Sequence, residues 1–338
     1  MFIATLLATN QEIPEINLAT MSVVKELPKG YANQGTILTI GVFDGVHLGH
    51  LHLIESLKSI GGSLKKPTGI ITFTNHPASI VNPQFEPLYL TTLKEKLNLL
   101  SDTGVDFVTP ISFDDELASL DVEDFIKILV RHMKMVGLVI GPDFKMGKNR
   151  LGDVTKLIEL GQKYGFLVKV IDSMEQQGRS IRSTAIRELV LQGKVDDLGN
   201  FLGRPFSISG TVVHGLERGR KIGYRTANIE QSDGMVTPGD GIYATKAFVK
   251  GSSNLASLAS TTSIGTRPTF DEGNRTIECH ILDFNDDIYG KELRLEFHKR
   301  IRSELKFDTV DALLIQMKND LRQTRALLSE SQDHREPR

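Results

Sequence analysis

The stretch "ILTIGVFDGVHLGH", residues Ile37 to His50, joins a short strand-like run to a segment rich in glycine and histidine. Farther along, similar apolar runs alternate with helical patterns as far as Val170. Strands that alternate with helices predict a parallel sheet, and such a sheet binds ligands beyond the carboxyl ends of its strands. The sequence therefore predicts an α/β domain with a ligand site at "GVFDGVHLGH".

His47 and His50 stand one helical turn apart, where a helix is predicted to begin. Unpaired N–H groups and the helix dipole attract anions at that end. Gly49 lets a substrate approach the backbone, and Gly41 and Gly45 permit the tight turn. Imidazole donors in this place can stabilise phosphate charge during nucleotidyl transfer without covalent catalysis. We therefore predict that the two histidines are catalytic.

An isolated H-x-x-H pair is more often two surface residues, or half of a metal site that includes His52. The strand and glycines before the pair favour phosphate binding instead. The chain contains neither G-x-x-x-x-G-K-[ST] nor G-x-G-x-x-G, which argues against P-loop and dinucleotide-binding folds.

Composition limits the alternatives. The chain has 338 residues, 40% of them hydrophobic, which is enough for two domains. The formal charge of -2 gives no basic field for nucleic acid, so we predict no nucleic-acid partner. A single cysteine, Cys279, rules out an intramolecular disulfide and favours the cytoplasm. The apolar start "MFIATLLATN" lacks a basic region and is too short to span a bilayer, so we predict no membrane partner.

The pattern changes after "FLGRPF", residues 201–206. Short strand patterns follow, separated by Gly, Pro and Asn-Asp, and they predict a small antiparallel barrel. A helix from Thr309 to Leu327, capped by Asp308, is predicted to close it. Its predicted apolar positions are Val310, Leu313, Leu314, Met317 and Leu321. The predicted segments are an extension of unknown role (1–20), the α/β domain (21–200), the barrel domain (205–328) and a disordered tail (329–338).

A second candidate site lies in the barrel. Thr226 and Asn228 have strand spacing, so their side chains share a side and offer oxygen ligands suited to Mg²⁺. Ordinary turn chemistry is the alternative for such a pair. Glu278 lies on the opposite strand face from Cys279. A carboxylate there can orient or deprotonate an attacking hydroxyl, although most such carboxylates are only solvated.

Several stretches occur in the order found in bacterial bifunctional riboflavin kinase/FAD synthetases, and the chain resembles that family from about Met21 to Leu327. They are "TIGVFDGVHLGH", "ITFTNHP", "LTTLKEKLNLL", "GPDFKMGKNRLGD", "RSTAIRELVLQGKVDDLGNFLGRPF", "GRKIGYRTANI", "GIYA", "GTRPTF" and "RTIECHILDFNDDIYGKELRLEF". The resemblance implies a Rossmann-like nucleotidyltransferase domain that adenylylates FMN, followed by a riboflavin kinase barrel. It implies riboflavin, FMN and ATP as substrates, FMN and FAD as products, and Mg²⁺ as cofactor.

The resemblance also implies roles for individual residues. In the first domain it implies nucleotide contacts for Gly41, Phe43, Asp44, His47, Gly49, His50, Asp143, Ser183, Thr184 and Arg187. In the barrel it implies nucleotide binding by Gly215, Gly219 and Gly223, Mg²⁺ binding by Thr226 and Asn228, and a catalytic base at Glu278.

Three departures from the family pattern bear on activity. Arg182 replaces a serine, Thr74-Asn75 replaces Asp-Pro or Glu-Pro, and Arg225 replaces a proline. The first two are expected to change nucleotide or flavin affinity. A single-activity enzyme with one disabled domain, or a flavin-binding regulator without turnover, are the alternatives to a bifunctional enzyme.

Overall fold

The computed structural model describes residues 22–28, 34–176, 178–215, 224–251, 257–266 and 275–330. The chain divides into two compact units between Arg182 and Ser183. The predicted extension (1–20) and residues 331–338 of the predicted tail lie outside the described residues. No helix in the described ranges is long and apolar enough to cross a membrane.

The first unit contains a five-stranded sheet with strand order β3-β2-β1-β4-β5, in which all neighbouring strands are parallel. This confirms the predicted α/β fold. A short antiparallel hairpin, β6 and β7, follows the sheet. The strands are β1 (Thr36–Ile40), β2 (Thr68–Phe73), β3 (Phe107–Ile111), β4 (Met135–Ile140), β5 (Leu167–Val170), β6 (Glu175–Gln176) and β7 (Arg179–Ser180). The helices are α1 (Ser22–Glu26), α2 (Leu48–Leu64), α3 (Pro77–Val81), α4 (Leu93–Ser101), α5 (Asp115–Ser119), α6 (Val122–His132) and α7 (Val154–Tyr164), with a 3-10 turn at Lys148–Arg150.

Strand β1 is buried along its whole length, as expected for a central parallel strand. Its side chains alternate between two apolar cores. Ile37 packs in the core that contains residues of α2 and α4, and Leu38 packs in the core that contains residues of α6 and α7. Helices therefore cover both faces of the sheet, and the loops at its carboxyl edge are left to form a site.

The second unit contains a closed six-stranded antiparallel barrel with strand order β10-β11-β12-β9-β8-β13. The predicted barrel and its C-terminal helix are confirmed. Two short helices precede the barrel, which are α8 (Ser183–Leu191) and α9 (Gly199–Leu202), with a 3-10 turn at Val195–Asp197. The strands are β8 (Phe206–Val213), β9 (Ala227–Gln231), β10 (Gly241–Val249), β11 (Leu258–Thr266), β12 (Arg275–Ile281) and β13 (Glu292–Arg302), and α10 is Val310–Glu330.

Helix α10 differs from its prediction in three details. The Thr309 hydroxyl, and not Asp308, accepts the N–H of Ala312 at 3.2 Å and caps the helix. Val310 is 58% exposed, although its spacing predicted a core position. The helix continues to Glu330, two residues into the predicted tail.

The buried face of α10 is partly polar. Asp320 and Thr324 are buried. They are hydrogen-bonded to Arg302 of β13 and Thr261 of β11, at 2.7 and 2.8 Å. Polar contacts therefore contribute to the packing of α10 on the barrel, which the spacing of apolar residues alone had predicted.

Candidate active sites

The turn between β1 and α2 has an uncommon backbone. Phe43, Gly45 and Val46 have φ values of 52°, 79° and 38°. Glycine adopts this region freely, but a bulky or branched residue there is strained. Gly41 has no such φ; a Cβ on it would lie 3.0 Å from the Phe43 ring. Gly45 thus permits the turn as predicted, whereas Gly41 accommodates a ring.

His47 is the N-cap of α2, so the helix begins where the sequence predicted. Its Nδ1 accepts the backbone N–H of His50 at 3.3 Å. A neutral His47 therefore carries its proton on Nε2, which can donate to another group. The cap also means that His47 itself engages one of the helix-start amides predicted to attract an anion.

The two imidazole rings stack, with centroids 3.6 Å apart and an interplanar angle of 16°. A Cβ on Gly49 would lie 3.2 Å from the His47 ring and 3.4 Å from the carbonyl oxygen of Ile181. Glycine at 49 therefore allows the close packing around the pair. The structure brings the histidines together on one side of the helix start, as predicted.

The electrostatic surroundings keep His50 neutral. Burial lowers its pKa well below the ordinary 6.5, and the neighbouring His47 and Lys96 lower it further. The Nδ1 atom of His50 is buried and has no hydrogen-bond partner within the described residues. A buried polar atom of this kind is available to a bound ligand.

The Asp44 side chain links the turn to another segment of the chain. Its carboxylate is buried and accepts the backbone N–H of Leu90 at 3.0 Å and that of Thr91 at 3.3 Å. These bonds hold the turn against the segment before α4. The geometry supports a role in shaping the turn, and the nucleotide contact that the resemblance implied for Asp44 stays a prediction. The ring of Phe43 is buried too, and lies edge-on to His50 with centroids 5.1 Å apart.

Lys96 is a buried residue beside this turn that sequence reasoning missed. Its Nζ donates to the carbonyl oxygens of Val42 at 3.2 Å and Phe73 at 2.7 Å. A lysine in a charged helical stretch such as "LKEK" is normally solvated, so no sequence pattern indicated that Lys96 is buried.

The other predicted residues of the first domain lie in the turn after β4 and on helix α8. Asp143 is exposed and pairs with the guanidinium of Arg182 at 2.5 Å. The departure at 182 is thus in contact with a predicted nucleotide-binding residue. Ser183, Thr184 and Arg187 lie in α8, which belongs to the second unit.

Asn75, which belongs to the departure at Thr74-Asn75, forms two hydrogen bonds with the backbone of another loop. The Asn75 side chain accepts the N–H of Phe113 at 2.9 Å and donates to its carbonyl oxygen at 2.8 Å. This pair of bonds joins the loops that follow β2 and β3. Asn75 therefore supports the carboxyl edge of the sheet, whatever its effect on affinity.

In the barrel, β9 and β12 bring the predicted kinase residues together. Asn228 and Glu278 are directly paired across the two strands. The Thr226 hydroxyl donates to the Glu278 carboxylate at 3.3 Å. A Cβ on Gly215 would overlap the Asn228 side chain, so a larger residue there would displace that side chain. Gly219 and Gly223 lie outside the described residues.

Two cavities adjoin this group. One of about 230 Å³ is lined in part by Thr226, Asn228 and Cys279. The other, of about 600 Å³, is lined in part by Gly215 and Asn228. Burial raises the pKa of the Cys279 thiol to about 11, so the sulfur is a neutral part of the wall. The group therefore has room for ligands on either side of Asn228.

Residue 225 is held at two points. The Arg225 guanidinium donates to the carbonyl oxygen of Asn285 at 3.3 Å. The Arg225 carbonyl oxygen lies 2.7 Å from Nδ1 of His280. His280 lies on the same strand face as Glu278, as the strand pattern predicted.

Comparisons with known proteins assign both units. The FAD synthetase family model matches residues 30–185, and the riboflavin kinase family model matches residues 202–328. The bifunctional riboflavin kinase/FMN adenylyltransferase of Escherichia coli (strain K12) is 37% identical over 288 residues, which cover 85% of this chain and 91% of that protein. The protein of the same description from Listeria monocytogenes is 34% identical over 299 residues, which cover 88% and 94%.

A solved structure agrees over nearly the whole length. The crystal structure of a macrolide-efflux protein from Streptococcus pneumoniae matches with a TM-score of 0.81 and 30% identity, covering 90% of this chain and 97% of that chain. Both family models and the curated relatives point to flavin chemistry. The chain belongs to the family of bifunctional riboflavin kinase/FMN adenylyltransferases.

Proposed function

We propose that this chain makes FAD from riboflavin in two ATP-dependent steps. The barrel phosphorylates riboflavin to FMN with release of ADP. The α/β unit then transfers AMP from a second ATP to FMN, with release of pyrophosphate. The observation that carries the proposal is the presence of a distinct polar site in each unit, each within the matching family domain.

In adenylyl transfer, a phosphate oxygen of FMN attacks the α-phosphorus of ATP and the bond to pyrophosphate breaks. Negative charge grows on the α-phosphate oxygens and on the leaving group. We assign the stabilisation of this charge to His47 and His50. The Nε2–H of His47 follows from its Nδ1 cap bond. Donors held in a fixed orientation stabilise such a transition state without reorganising.

In riboflavin phosphorylation, a ribityl hydroxyl attacks the γ-phosphorus of ATP and ADP leaves. We assign to Glu278 the role of orienting this hydroxyl and accepting its proton. The Thr226 hydroxyl donates to this carboxylate, which fixes the direction of its lone pairs. Because a hydroxyl has two lone pairs besides its proton, Thr226 can keep this bond while its oxygen faces a cation.

Mg²⁺ fits the donor set at this site. Thr226 Oγ1 and the Asn228 side-chain oxygen are hard ligands of the kind Mg²⁺ prefers. No cluster of three or more His, Cys, Asp or Glu side chains that could hold a metal occurs in the part of the chain that the structure describes. Protein groups would thus supply few ligands, and ATP phosphates and water the rest. When bound, Mg²⁺ neutralises phosphate charge as the γ-phosphoryl group is transferred.

The proposed partners are the small molecules riboflavin, FMN and ATP. The near-balance of acidic and basic residues, 42 against 40, gives no reason to add nucleic acid. A lone, buried free thiol at Cys279 suits a reducing compartment, so we propose the cytoplasm.

Chromatography of products after incubation with riboflavin, ATP and Mg²⁺ tests the proposal. The expected result is FMN followed by FAD. The variant His50→Ala should lower FAD formation at least tenfold and leave FMN formation nearly intact. Glu278→Gln should do the reverse when FMN is supplied for the second step.

The alternatives give different products. A chain that makes only FMN, or that makes FAD only from added FMN, is a single-activity enzyme. A chain that binds flavin but forms neither product is a regulator. Equal loss of both activities in His50→Ala would contradict the assignment of His50.

A further inference from the structure

Lys96 joins the ends of two neighbouring strands. Strands β1 and β2 run parallel, with Ile40 opposite Ile71. The Lys96 ammonium group lies beyond this pair and donates to Val42, which follows β1, and to Phe73, the last residue of β2. It therefore fixes the spacing of the two strands at the carboxyl edge, where the histidine turn begins.

The turn needs such support. Positive φ at bulky residues costs on the order of 1–3 kcal/mol each, and persists only where surrounding contacts impose it. Phe43 and Val46 both have this conformation. Several contacts that support it come from residues 90–96, and the Thr72 hydroxyl of β2 also donates to the Val42 carbonyl oxygen at 3.1 Å. Thr91 Oγ1 accepts the Gly45 N–H at 3.2 Å, the Leu90 and Thr91 amides hold Asp44, and Lys96 holds the carbonyl that precedes Phe43.

The charge of Lys96 acts on the same turn. Burial lowers the pKa of Lys96, and the nearby Asp44 carboxylate offsets part of this effect. The ammonium group in turn is one of the groups that lower the pKa of His50. Lys96 thus acts on both the backbone of the turn and the protonation state of the second histidine.

We propose that Lys96 is a positioning residue for adenylyl transfer, whose ammonium group fixes the turn that orients His47 and His50. The inference rests on the proposed FMN adenylylation. Lys96 acts on the reaction through the turn, because its ammonium group donates to two backbone carbonyls.

The test compares Lys96→Met, which removes the charge and the donors but keeps the length, with Lys94→Met. Lys94 is an exposed lysine on the same helix and serves as the matched control. We expect Lys96→Met to lower kcat for FAD formation at least tenfold, with KM for ATP within threefold. Riboflavin phosphorylation should stay within twofold in the same protein. Lys94→Met should keep both activities within twofold.

A double-mutant cycle with His50→Ala separates positioning from general destabilisation. If Lys96 acts through the histidines, adding Lys96→Met to His50→Ala should lower kcat by less than threefold. Losses that multiply fully would overturn the inference. Should Lys96→Met fail to fold, as judged by circular dichroism, Lys96→Gln takes its place. Its amide can satisfy one carbonyl, but it is uncharged and too short to bridge the Val42 and Phe73 carbonyls, so the same loss of kcat is expected.

The two proposals fail in different ways. A parent chain that makes no FAD overturns the proposed adenylylation. A parent chain that makes FAD, with Lys96→Met equally active, overturns only the role of Lys96.

Discussion

Two arginine–aspartate pairs join α10 to the barrel, and they differ mainly in exposure. Arg302 of β13 donates to Asp320 of α10 from Nε at 3.0 Å and from Nη2 at 2.7 Å. Their side chains are 17% and 5% exposed. Arg325 of α10 donates to Asp283 at 2.7 and 2.8 Å, but these side chains are 57% and 72% exposed.

Asp320→Ala should destabilise the second unit strongly. The substitution leaves the largely buried Arg302 guanidinium without its carboxylate and removes the acceptor of the Gln316 amide, which lies 2.8 Å away. Breaking a buried pair by removing one partner costs about 3–5 kcal/mol. For a unit of this size, that loss lowers the midpoint of thermal unfolding by on the order of 10 °C.

Thermal and urea unfolding, followed by circular dichroism, measure the effect, and Asp283→Ala is the matched control. The control pair has the same chemistry in water, so its loss should change the midpoint far less. The double variant Arg302→Met with Asp320→Leu should recover at least half of the lost stability, because it leaves no unpaired charge. Equal midpoints for Asp320→Ala and Asp283→Ala would refute the reasoning that burial sets the strength of the pair.

The domain boundary, the departure at residue 225 and the half-buried His50 each lead to a further prediction. A fragment from residue 205 to the end should fold and phosphorylate riboflavin without making FAD. A fragment from Ser183 should unfold at a higher temperature, because the Gly239 N–H donates to the carbonyl oxygen of Val190 in α8 at 3.0 Å. A 205 fragment that is unfolded by circular dichroism, or FAD formed by either fragment, would contradict the assignment of the two activities to separate domains. Arg225→Pro should change KM for ATP a few-fold and leave kcat within roughly threefold in steady-state kinetics, since the ligand atoms belong to other residues. If the parent makes no FMN and the proline variant does, the kinase domain is naturally disabled. The pKa of His50 in the folded protein lies below 6.5, so the unfolded chain takes up a proton first as the pH falls. Urea unfolding at pH 5–7 should therefore show a free energy of unfolding that decreases below pH 6.5, by at most about 1.4 kcal/mol per pH unit. The same dependence of this free energy on pH in His50→Gln would contradict the prediction.

The parts of the fold that depend on local patterns were predictable. Strand β1 and the helix start at His47 are signalled by an apolar run, three glycines and two histidines one helical turn apart, all within 14 residues. The alternation of strands and helices, and then of strands and turns, distinguishes the sheet from the barrel without knowledge of any contact.

The parts that depend on distant partners were not predictable from the residues alone. The spacing of α10 predicted a core position for Val310, which is exposed, and gave no sign that Asp320 and Thr324 are buried against β13 and β11. Lys96 has the spacing of a solvated lysine, and only its packing against two strand ends reveals its bonds. Asp44 belongs to a recognisable motif, yet its hydrogen bonds reach residues 46 and 47 positions later.

The strand order of the barrel also has a consequence for the order in which the two units mature during synthesis. All strands of the parallel sheet have been made once Val170 has emerged. In the barrel, β13 lies between β8 and β10, and Phe206 pairs with Phe297 about 90 residues later. Pairings so distant in sequence form slowly, because a long loop must close before the contacts reward it. A ribosome-bound chain can therefore complete its sheet while β8 and β10 still await β13, and the barrel closes only after nearly the whole chain has been translated.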